Sequence, residues 1–525
     1  MRLTELRLCP ELAQWRRDVR DFLGAEMAPD KTADHVDPSD LTGLDRAFER
    51  RHQREAARRG MLAVSLPKGD GGLGKSRAWK HVYDLEAAYH GAPSIDTGVT
   101  LCGFVLSRFG TRAQKNRWLS PMVEGEMLGA IAYSEAGAGN DLAAISTTAT
   151  RVAGGWELSG VKSHVTGAHK ADVAVVLAVT DPKGSARSSM TMFLVPLDAP
   201  GIQVRRRPTI NRWTLGEVAF LRVQLDDDFV LGEVGKGWSQ AMAAVTAERG
   251  SLAHYGWAER WLERLPAGVP PRERARLHAT AARVRAFSQR LIDYELAGRP
   301  VGYEASVVKV TATELLQDIA RVARSGSGPG ETDWTAMFEE GPPFSYDVLE
   351  AIHPTISVGA NETHRDMIAA ALLDQGPPAR SPLLATGNDS VVDACADMAT
   401  DARKIIAITA HDALGRPLYG QQVGNFQVAR HRFVDMALAA EAMELTAVEA
   451  SNAPPGPQRD YLVSAAKVTS NEGLLDVVAG AHQLHGADGY YRDHPLASYT
   501  RQAWKAQSQG GTTAEHLERL ARLTE

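Results

Sequence analysis

The sequence predicts an α+β fold that is mainly α-helical, with an N-terminal helical domain, a middle β-barrel-like domain and two tandem C-terminal helical bundles. Three observations predict it. Apolar residues recur every three or four positions from about residue 10 to 125, the period changes to two from about 128 to 240, and the helical remainder contains an internal repeat. The expected domains are 1–127, 128–240, 241–378 and 388–525.

Amphipathic segments dominate the first part of the chain. The stretches "ELAQWRRDVRDFL" and "RAWKHVYDLEAAYHG" place apolar residues along one helical face. In the middle part, "ADVAVVLAVT" and "MTMFLVPL" are short runs rich in apolar residues and bounded by Gly, Pro or Asp, as strands are. The helical period then returns after Trp238 and continues to the end. The predicted order is therefore helical, β, helical.

The internal repeat lies within the C-terminal helical part. Residues 303–318, "YEASVVKVTATELLQD", and 461–476, "YLVSAAKVTSNEGLLD", agree at eight of sixteen positions without a gap. Each copy then reaches a Gly-containing loop followed by a helix, "SVGANETH" from 357 and "SQGGTTAEH" from 508. A Pro-, Gly- and Ser-rich linker separates the copies. This pattern indicates a duplicated helical unit.

Composition excludes several classes of partner. The 525 residues carry a formal charge of −6 and no dense Lys/Arg block, so we expect neither nucleic acid nor an anionic membrane as a partner. Cys9, Cys102 and Cys395 are isolated in sequence, which predicts a reducing compartment, no disulfide framework and no metal site. The amphipathic N-terminus and the lack of a long apolar run predict a soluble, cytoplasmic protein without membrane insertion.

A loop of small residues, "EAGAGND", lies between two strand-like segments at 135–141. Glycine and alanine let backbone N–H groups approach a flat polar ring or a phosphate closely. By itself the loop is equally consistent with an ordinary glycine turn of a β domain. Thr166 follows at the end of the next predicted strand, where its hydroxyl can donate or accept a hydrogen bond.

Four ordered segments together resemble the acyl-CoA dehydrogenase family, and the resemblance covers essentially the whole chain. They are "AYSEAGAGNDLAAISTTA" at 132–149, "GVKSHVTGAHKADVAVVLA" at 160–178, "ALGRPLYGQQVGNFQ" at 413–427 and "HQLHGADGYYRDHPLASYTRQAWKAQSQGGT" at 482–512. The resemblance implies an FAD-dependent oxidoreductase of fatty acid metabolism. Its substrate would be an acyl thioester of CoA or of an acyl carrier protein, and its electron acceptor an electron-transfer flavoprotein.

The resemblance also implies cofactor contacts in the β domain. Tyr133 and Ser134 would face the pyrimidine edge of the flavin, Asn140 and Asp141 would close the loop that also contains Gly139, and Thr166 would lie beside flavin N5. The family usually has an aromatic residue, commonly Trp, two positions before that threonine.

His164 departs from this pattern. An imidazole can still stack on a ring system, but it is smaller than an indole and it can titrate. We therefore expect the flavin affinity or redox potential to differ from the family norm.

The catalytic base is not where many family members carry it, immediately before the C-terminal Gly-Thr. The matching positions hold Gly510 and Val358. A minority pattern of the family places the base on the first long helix after the β domain, and Glu248 in "AERG" matches it. Glu248 would remove the α proton and Arg249 would position the thioester or its phosphopantetheine arm. The alternative is a solvated surface pair.

The second copy carries the residues that resemble the cofactor's pyrophosphate and adenosine site. Arg416 and Gln483 match the family positions, and Gln427 and Gly486 lie in the same two segments. The planar guanidinium of Arg416 suits two phosphate oxygens, although an ordinary surface ion pair is the alternative. The first copy lacks these residues. The resemblance therefore implies one flavin per chain, a second copy that serves as a partner subunit, and a homodimer.

Two rival functions remain on the same fold. The vacant loop position and His164 are consistent with a flavin-dependent monooxygenase or a redox-neutral enzyme that tailors a metabolite. A chain that kept the fold after duplication without catalysing a reaction would be a non-catalytic partner subunit. Bound FAD and a functional Arg416 would argue against that last reading.

Overall fold

The computed structural model describes residues 5–35, 44–93, 96–185, 187–211, 213–248, 251–326, 349–375 and 389–524. The chain forms two compact units. The first is Leu8–Gly256, and the second is Trp257–Glu525 together with the segment that ends at Arg7. The predicted N-terminal helical and β domains thus share one unit, and the two predicted C-terminal bundles share the other.

The first unit begins with a helix that buries one face. Helix α1 starts with Pro10 at its first position and buries Leu12, Trp15, Val19 and Leu23, spaced by three or four residues. The helices of this unit before the sheet are α1 Pro10–Glu26, α2 Pro29–Thr32, α3 Arg46–Arg58, α4 Arg77–His90, α5 Gly103–Phe109, α6 Arg112–Gln114 and α7 Ser120–Val123. Two π-helical stretches, Asp96–Cys102 and Lys115–Leu119, interrupt them.

One twisted sheet of eight strands forms the middle of this unit. Its strands are β1 Gly129–Ala132, β2 Thr148–Val152, β3 Gly155–Thr166, β4 Val173–Val179, β5 Met190–Pro196, β6 Ile202–Pro208, β7 Thr214–Leu225 and β8 Val230–Leu231. They follow the order β6-β7-β3-β2-β4-β5-β8, with β1 parallel to β4. Residues such as Phe193, Leu158 and Phe220 form the core of the sheet domain. The predicted change from helical to β structure is confirmed.

Buried polar groups connect the N-terminal helices to the sheet domain. The Lys170 ammonium donates to the Leu44 carbonyl and to the Glu49 carboxylate, both at 3.0 Å. The Asp172 carboxylate accepts from Arg46 at 2.7 Å and from the backbone N–H of Leu128 at 2.8 Å. These contacts explain why the two predicted domains form one compact unit.

Helix α8, Gly237–Glu248, follows the sheet and packs against β4 and β5. Its first residue must be glycine, because a Cβ on Gly237 would lie 2.8 Å from the backbone nitrogen of Thr191. Helix α9, Ala253–Glu263, comes next, and the boundary between the two units falls within it. The predicted domain boundary after residue 240 therefore differs from the boundary between the two compact units, which follows Gly256.

The second unit is helical. Its remaining helices are α10 Pro271–Leu296, α11 Glu304–Ser325, α12 Asn361–Gln375, α13 Ser390–Gly415, α14 Gln427–Asn452, α15 Pro457–His485, α16 Pro495–Ala506 and α17 Thr513–Thr524. A short hairpin of Pro417–Leu418 and Gln421–Gln422 joins α13 to α14. Residues of α10, among them Ala275 and Ala279, share a core with Tyr461 and Leu517. Helices of both predicted copies therefore contribute to one core.

None of the helices within the described residues is long and apolar enough to cross a membrane. The described ranges also contain no group of three or more His, Cys, Asp or Glu side chains suited to a metal ion. Cys9, Cys102 and Cys395 are free thiols, of which Cys102 and Cys395 are buried.

Candidate active site

The small-residue loop after β1 is closed by a tight turn and by one carboxylate. The backbone N–H of Glu135 donates to the Ala138 carbonyl at 3.2 Å and the reverse bond is 3.0 Å, while Gly137 has φ of 101°. The Glu135 carboxylate accepts from the N–H and hydroxyl of Ser146, each at 2.7 Å, and from the N–H of Thr147 at 2.9 Å. The two ends of the loop are therefore held together.

Lys162 of β3 connects this loop to the sheet through its buried ammonium group. Its ammonium is completely buried and donates to the Tyr133 carbonyl at 2.9 Å and to the Glu135 carboxylate at 2.8 Å. One residue later, the N–H of Ser163 donates to the Ser134 carbonyl at 3.0 Å. Burial would raise the pKa of Glu135, but the hydrogen bonds that it accepts outweigh burial and lower the pKa to about 2.

The predicted cofactor residues of the β domain differ in how far their side chains are exposed to solvent. The Tyr133 side chain is buried, with its hydroxyl directed at the sulfur of Met192, so this residue presents main-chain atoms only. Ser134 is partly exposed, and Gly139 and Asn140 are exposed. Within the described residues, the N–H and hydroxyl of Ser134 and the Asn140 amide have no hydrogen-bond partner. They are available to a ligand.

His164 stands on a bulge of β3. Lys162 pairs with Val218 and Val165 pairs with Gly216, so two residues of β3 lie opposite one residue of β7. His164 adopts φ of 60°, which is uncommon for a residue with a side chain, and it is exposed. The bulge brings the imidazole out of the regular alternation of the strand.

Thr166 is the last residue of β3, as the sequence predicted. It is partly exposed, and its hydroxyl has no hydrogen-bond partner among the residues that the structure describes. The donors of Ser134, which is bonded to Ser163, and of Thr166 thus lie close to the bulge, while the Asn140 amide lies in the loop after β1.

Sequence reasoning missed Glu135 and Lys162. A signal was available, because Lys162 has the same strand parity as Trp156 and Leu158, both of which are buried. A lysine at a strand position that faces the core is rarely buried unless its ammonium has a charged or hydrogen-bonding partner. Strand alternation therefore indicated a buried and paired lysine at position 162, although not the identity of its partner.

The predicted base and its neighbour are described only in part. Glu248 is the last residue of α8, and its side chain and Arg249 lie outside the described residues. Just beyond them, the Ser251 hydroxyl donates to the Asp84 carboxylate at 3.1 Å and accepts from the N–H of Ala253 at 3.3 Å. The junction between α8 and α9 is thereby anchored to α4.

Arg416 lies at the end of α13 in the second unit. Its Nε donates to Asp412 at 2.9 Å and its guanidinium donates to the carbonyl of Leu484. This contact places Arg416 beside the C-terminal end of α15, the helix that also carries Gln483.

Gln483 and Gly486 line an open cavity of about 530 Å³, together with Ala479, His482, Ala487, Tyr490 and Tyr491. Gly486 ends α15 with φ of 65°. The structure therefore brings Arg416, Gln483 and Gly486 to one end of the second unit. Gln427 is not among the lining residues, and its amide donates to Asp366 at 2.8 Å.

The final loops of the two predicted copies make the same contact. His364 Nε2 donates to the Val358 carbonyl at 3.0 Å, and His516 Nε2 donates to the Gly510 carbonyl at 2.9 Å. In both loops the acceptor lies six residues before the histidine.

The lysines at the matching positions of the repeat are both buried, but they have different partners. Lys309 donates to the Gly359 carbonyl at 2.8 Å and to Asn361 at 2.7 Å. Lys467 donates to Asn471 of its own helix at 2.6 Å and to the Ala506 carbonyl at 3.3 Å. The two copies therefore share the histidine contact and not the lysine contacts.

Val358 holds a strained position in the first of these loops. Its φ is 57°, whereas the matching residue of the second loop is Gly510 with φ of 74°. A β-branched residue in the left-handed region is a genuine outlier. The hydrogen bond from His364 to the Val358 carbonyl helps to keep it there.

We expect Val358→Gly to leave the melting temperature unchanged or to raise it by about 2 °C, although it removes a side chain. The left-handed conformation costs a non-glycine residue about 1–2 kcal/mol, against about 0.5–1 kcal/mol of extra chain entropy for glycine. The control is Val463→Gly within α15, which should lower the melting temperature. Thermal denaturation measures both variants. An equal fall of the melting temperature in the two would contradict the claim that Val358 is strained.

Solved structures identify the fold. The chain aligns with the structure of an acyl-CoA dehydrogenase complexed with FAD from Bacillus anthracis, with a TM-score of 0.79 over 98% of this chain and 94% of that one at 18% identity. The architecture of helices, sheet domain and helices is thus the acyl-CoA dehydrogenase fold, as the sequence predicted.

Family models identify the family. The N-terminal domain of acyl-CoA dehydrogenase matches residues 10–126, the middle domain 130–227 and the C-terminal domain 392–524. The chain belongs to the acyl-CoA dehydrogenase family.

Relatives in Mycobacterium tuberculosis include two proteins named acyl-CoA dehydrogenase. IpdE1 is 34% identical over 252 residues, which are 46% of this chain and 63% of the relative. FadE34 is 31% identical over 337 residues, which are 62% of this chain and 46% of the relative. The matches therefore span less than two thirds of the length of either relative.

Proposed function

We propose that this chain is an FAD-dependent dehydrogenase that introduces an α,β double bond into an acyl thioester. The observation that carries the proposal is the set of unpaired donors in the segment after β1 and at the end of β3, in a chain of this family. The relatives named acyl-CoA dehydrogenase favour CoA as the carrier over an acyl carrier protein.

The residues present suit a flavin. An isoalloxazine ring carries carbonyl and imino groups along one edge, and the free donors of Ser134, Asn140 and Thr166 complement such groups. Ser134 and Thr166 are partly exposed and Asn140 is exposed, so these donors can exchange water for a ligand that accepts from them. When bound, FAD supplies the acceptor for the β hydride.

Glu248 is the proposed base. A thioester α proton is only weakly acidic, so its removal needs a positioned carboxylate in a site that excludes water. Its place at the end of α8, next to an anchored helix junction, supports a fixed position for the main chain. Arg249 is proposed to hold the thioester or the phosphopantetheine arm.

Arg416 and Gln483 are proposed to hold the pyrophosphate and adenosine part of FAD, with Gly486 giving close access to the backbone. The cavity lined by Gln483 and the position of Arg416 beside the end of α15 support this assignment. Gln427, in the same sequence segment as Arg416, is bonded to Asp366 and would contribute only by exchanging that partner for the cofactor.

Assembly and partners follow from the proposed duplication. The matching histidine contacts of the two loops support a duplicated helical unit. On that basis the proposal includes one flavin per chain, a second copy that takes the place of a partner subunit, and a homodimer, with the cytoplasm as the proposed location. An electron-transfer flavoprotein is the proposed acceptor.

The product distinguishes this function from its rivals. Incubation of the purified protein with saturated acyl-CoA and an artificial electron acceptor should yield a thioester lighter by two hydrogens, detected by mass spectrometry. A product heavier by one oxygen atom would indicate a monooxygenase. Protein that contains no flavin would refute the proposal altogether.

A further inference from the structure

We propose that Glu135 and Lys162 are positioning residues of the flavin site, and that their ion pair sets the affinity and the spectrum of the bound flavin. The inference rests on the proposed function, since it concerns the same site. Neither residue was among those predicted from the resemblance.

The first step is the direction of the lysine's hydrogen bonds. Lys162 is completely buried and lies on the strand that leads to His164 and Thr166. Its ammonium donates to the neighbouring segment, once to the Tyr133 carbonyl and once to the Glu135 carboxylate. The ammonium therefore connects the two segments that carry the exposed donors.

The second step concerns which polar groups of Tyr133 and Ser134 are already hydrogen-bonded and which are free. Lys162 occupies the Tyr133 carbonyl, and the N–H of Ser163 occupies the Ser134 carbonyl. The N–H and hydroxyl of Ser134 stay unpaired within the described residues. Lys162 and the N–H of Ser163 thus occupy the two carbonyl acceptors and leave the Ser134 donors free for a ring edge with carbonyl groups.

The third step concerns the rest of the loop. Glu135 accepts from Ser146 and Thr147, eleven and twelve residues further on, so one carboxylate holds both ends of the segment that contains Gly139 and Asn140. Fixing the ends reduces the conformations that the loop must lose when a ligand binds.

The place of the pair, and not its burial, distinguishes it. Burying two charges has a large desolvation cost, and the buried Lys170 bears the same cost where it joins α3 to the sheet domain. The hydrogen bonds of Lys162 instead reach the loop after β1 and the residue before it. We therefore assign the pair to the ligand that this loop binds.

A matched control is present in the same unit. Lys170 is also buried, and it also donates to one backbone carbonyl, of Leu44, and to one carboxylate, of Glu49. Its bonds reach α3 and the segment before it, not the loop after β1. Lys170→Met therefore reproduces the loss of a buried lysine without touching the candidate loop.

The test compares Lys162→Met, Glu135→Gln and the double variant with Lys170→Met in the full chain. For each, FAD dissociation from the holoprotein, the visible flavin spectrum and the melting temperature are measured. We expect the dissociation constant for FAD to rise about ten-fold or more in Lys162→Met and in the double variant, with a shifted flavin spectrum. Lys170→Met should lower the melting temperature comparably and keep the wild-type affinity and spectrum.

If Lys162→Met fails to fold, the double variant of Lys162→Met and Glu135→Gln still decides the test. It removes both charges, so neither is left buried without a partner. Wild-type FAD affinity in a folded Lys162 variant, or an equal loss in Lys170→Met, would overturn the inference and leave the proposed function standing. A wild-type protein that binds no FAD would overturn both.

Discussion

Glu248→Gln should slow the reduction of the bound flavin by acyl-CoA by about 100- to 10,000-fold, the range that a positioned general base contributes. The amide has nearly the shape of the carboxylate but cannot take a proton. FAD content and melting temperature should stay at wild-type values, since the change keeps the volume of the side chain. Stopped-flow absorbance under anaerobic conditions measures the rate.

The control for this result is Glu233→Gln. Glu233 is exposed and precedes α8, so its loss should leave the rate of flavin reduction unchanged. A Glu248→Gln enzyme that reduces its flavin as fast as the wild type, with a substrate that the wild type turns over, would remove Glu248 from the mechanism.

Arg416→Met should weaken FAD binding by about 10- to 100-fold, because a hydrogen bond to a charged group contributes about 1.5–3 kcal/mol. Arg416→Lys should recover part of the loss, since an ammonium keeps the charge but not the planar fork. Equilibrium release of FAD from the holoprotein measures the effect.

Arg459→Met is the matched control. Its side chain is 27% exposed and bonded to Asp389, compared with 28% exposure for Arg416 and a bond to Asp412. Both variants should lose similar small amounts of stability. If FAD affinity falls equally in the two, or in neither, Arg416 is an ordinary surface ion pair and the proposed second-copy contribution to the cofactor site is wrong.

The order of helical and β segments could be predicted because it rests on local periodicity. Apolar spacing of three or four predicted α1 and α4, and short apolar runs bounded by turn residues predicted β4 and β5. Thr166 at the end of β3 followed from the same pattern. Local rules identify elements, and the four motifs then pointed to the family.

Long-range pairing could not be predicted in the same way. The bond between Lys162 and the Tyr133 carbonyl joins residues 29 positions apart, and only the fold brings them together. The bulge at His164 and the left-handed Val358 depend on the tertiary contacts around them, since neither residue type favours a positive φ.

Unit boundaries likewise depend on packing. The linker between the predicted bundles is visible in the sequence, but residues of α10 share a core with Tyr461 and Leu517 of the second copy. A helix assigned to one copy by its place in the chain can therefore belong to a common core.

The measurement that tests the central claim most directly is anaerobic bleaching of the bound flavin by a panel of acyl-CoA and acyl-carrier-protein thioesters. The proposed function predicts that at least one saturated thioester bleaches the oxidised flavin spectrum stoichiometrically, and that the product is the α,β-unsaturated thioester. A flavin that no thioester reduces, or a protein that holds no flavin, would contradict it.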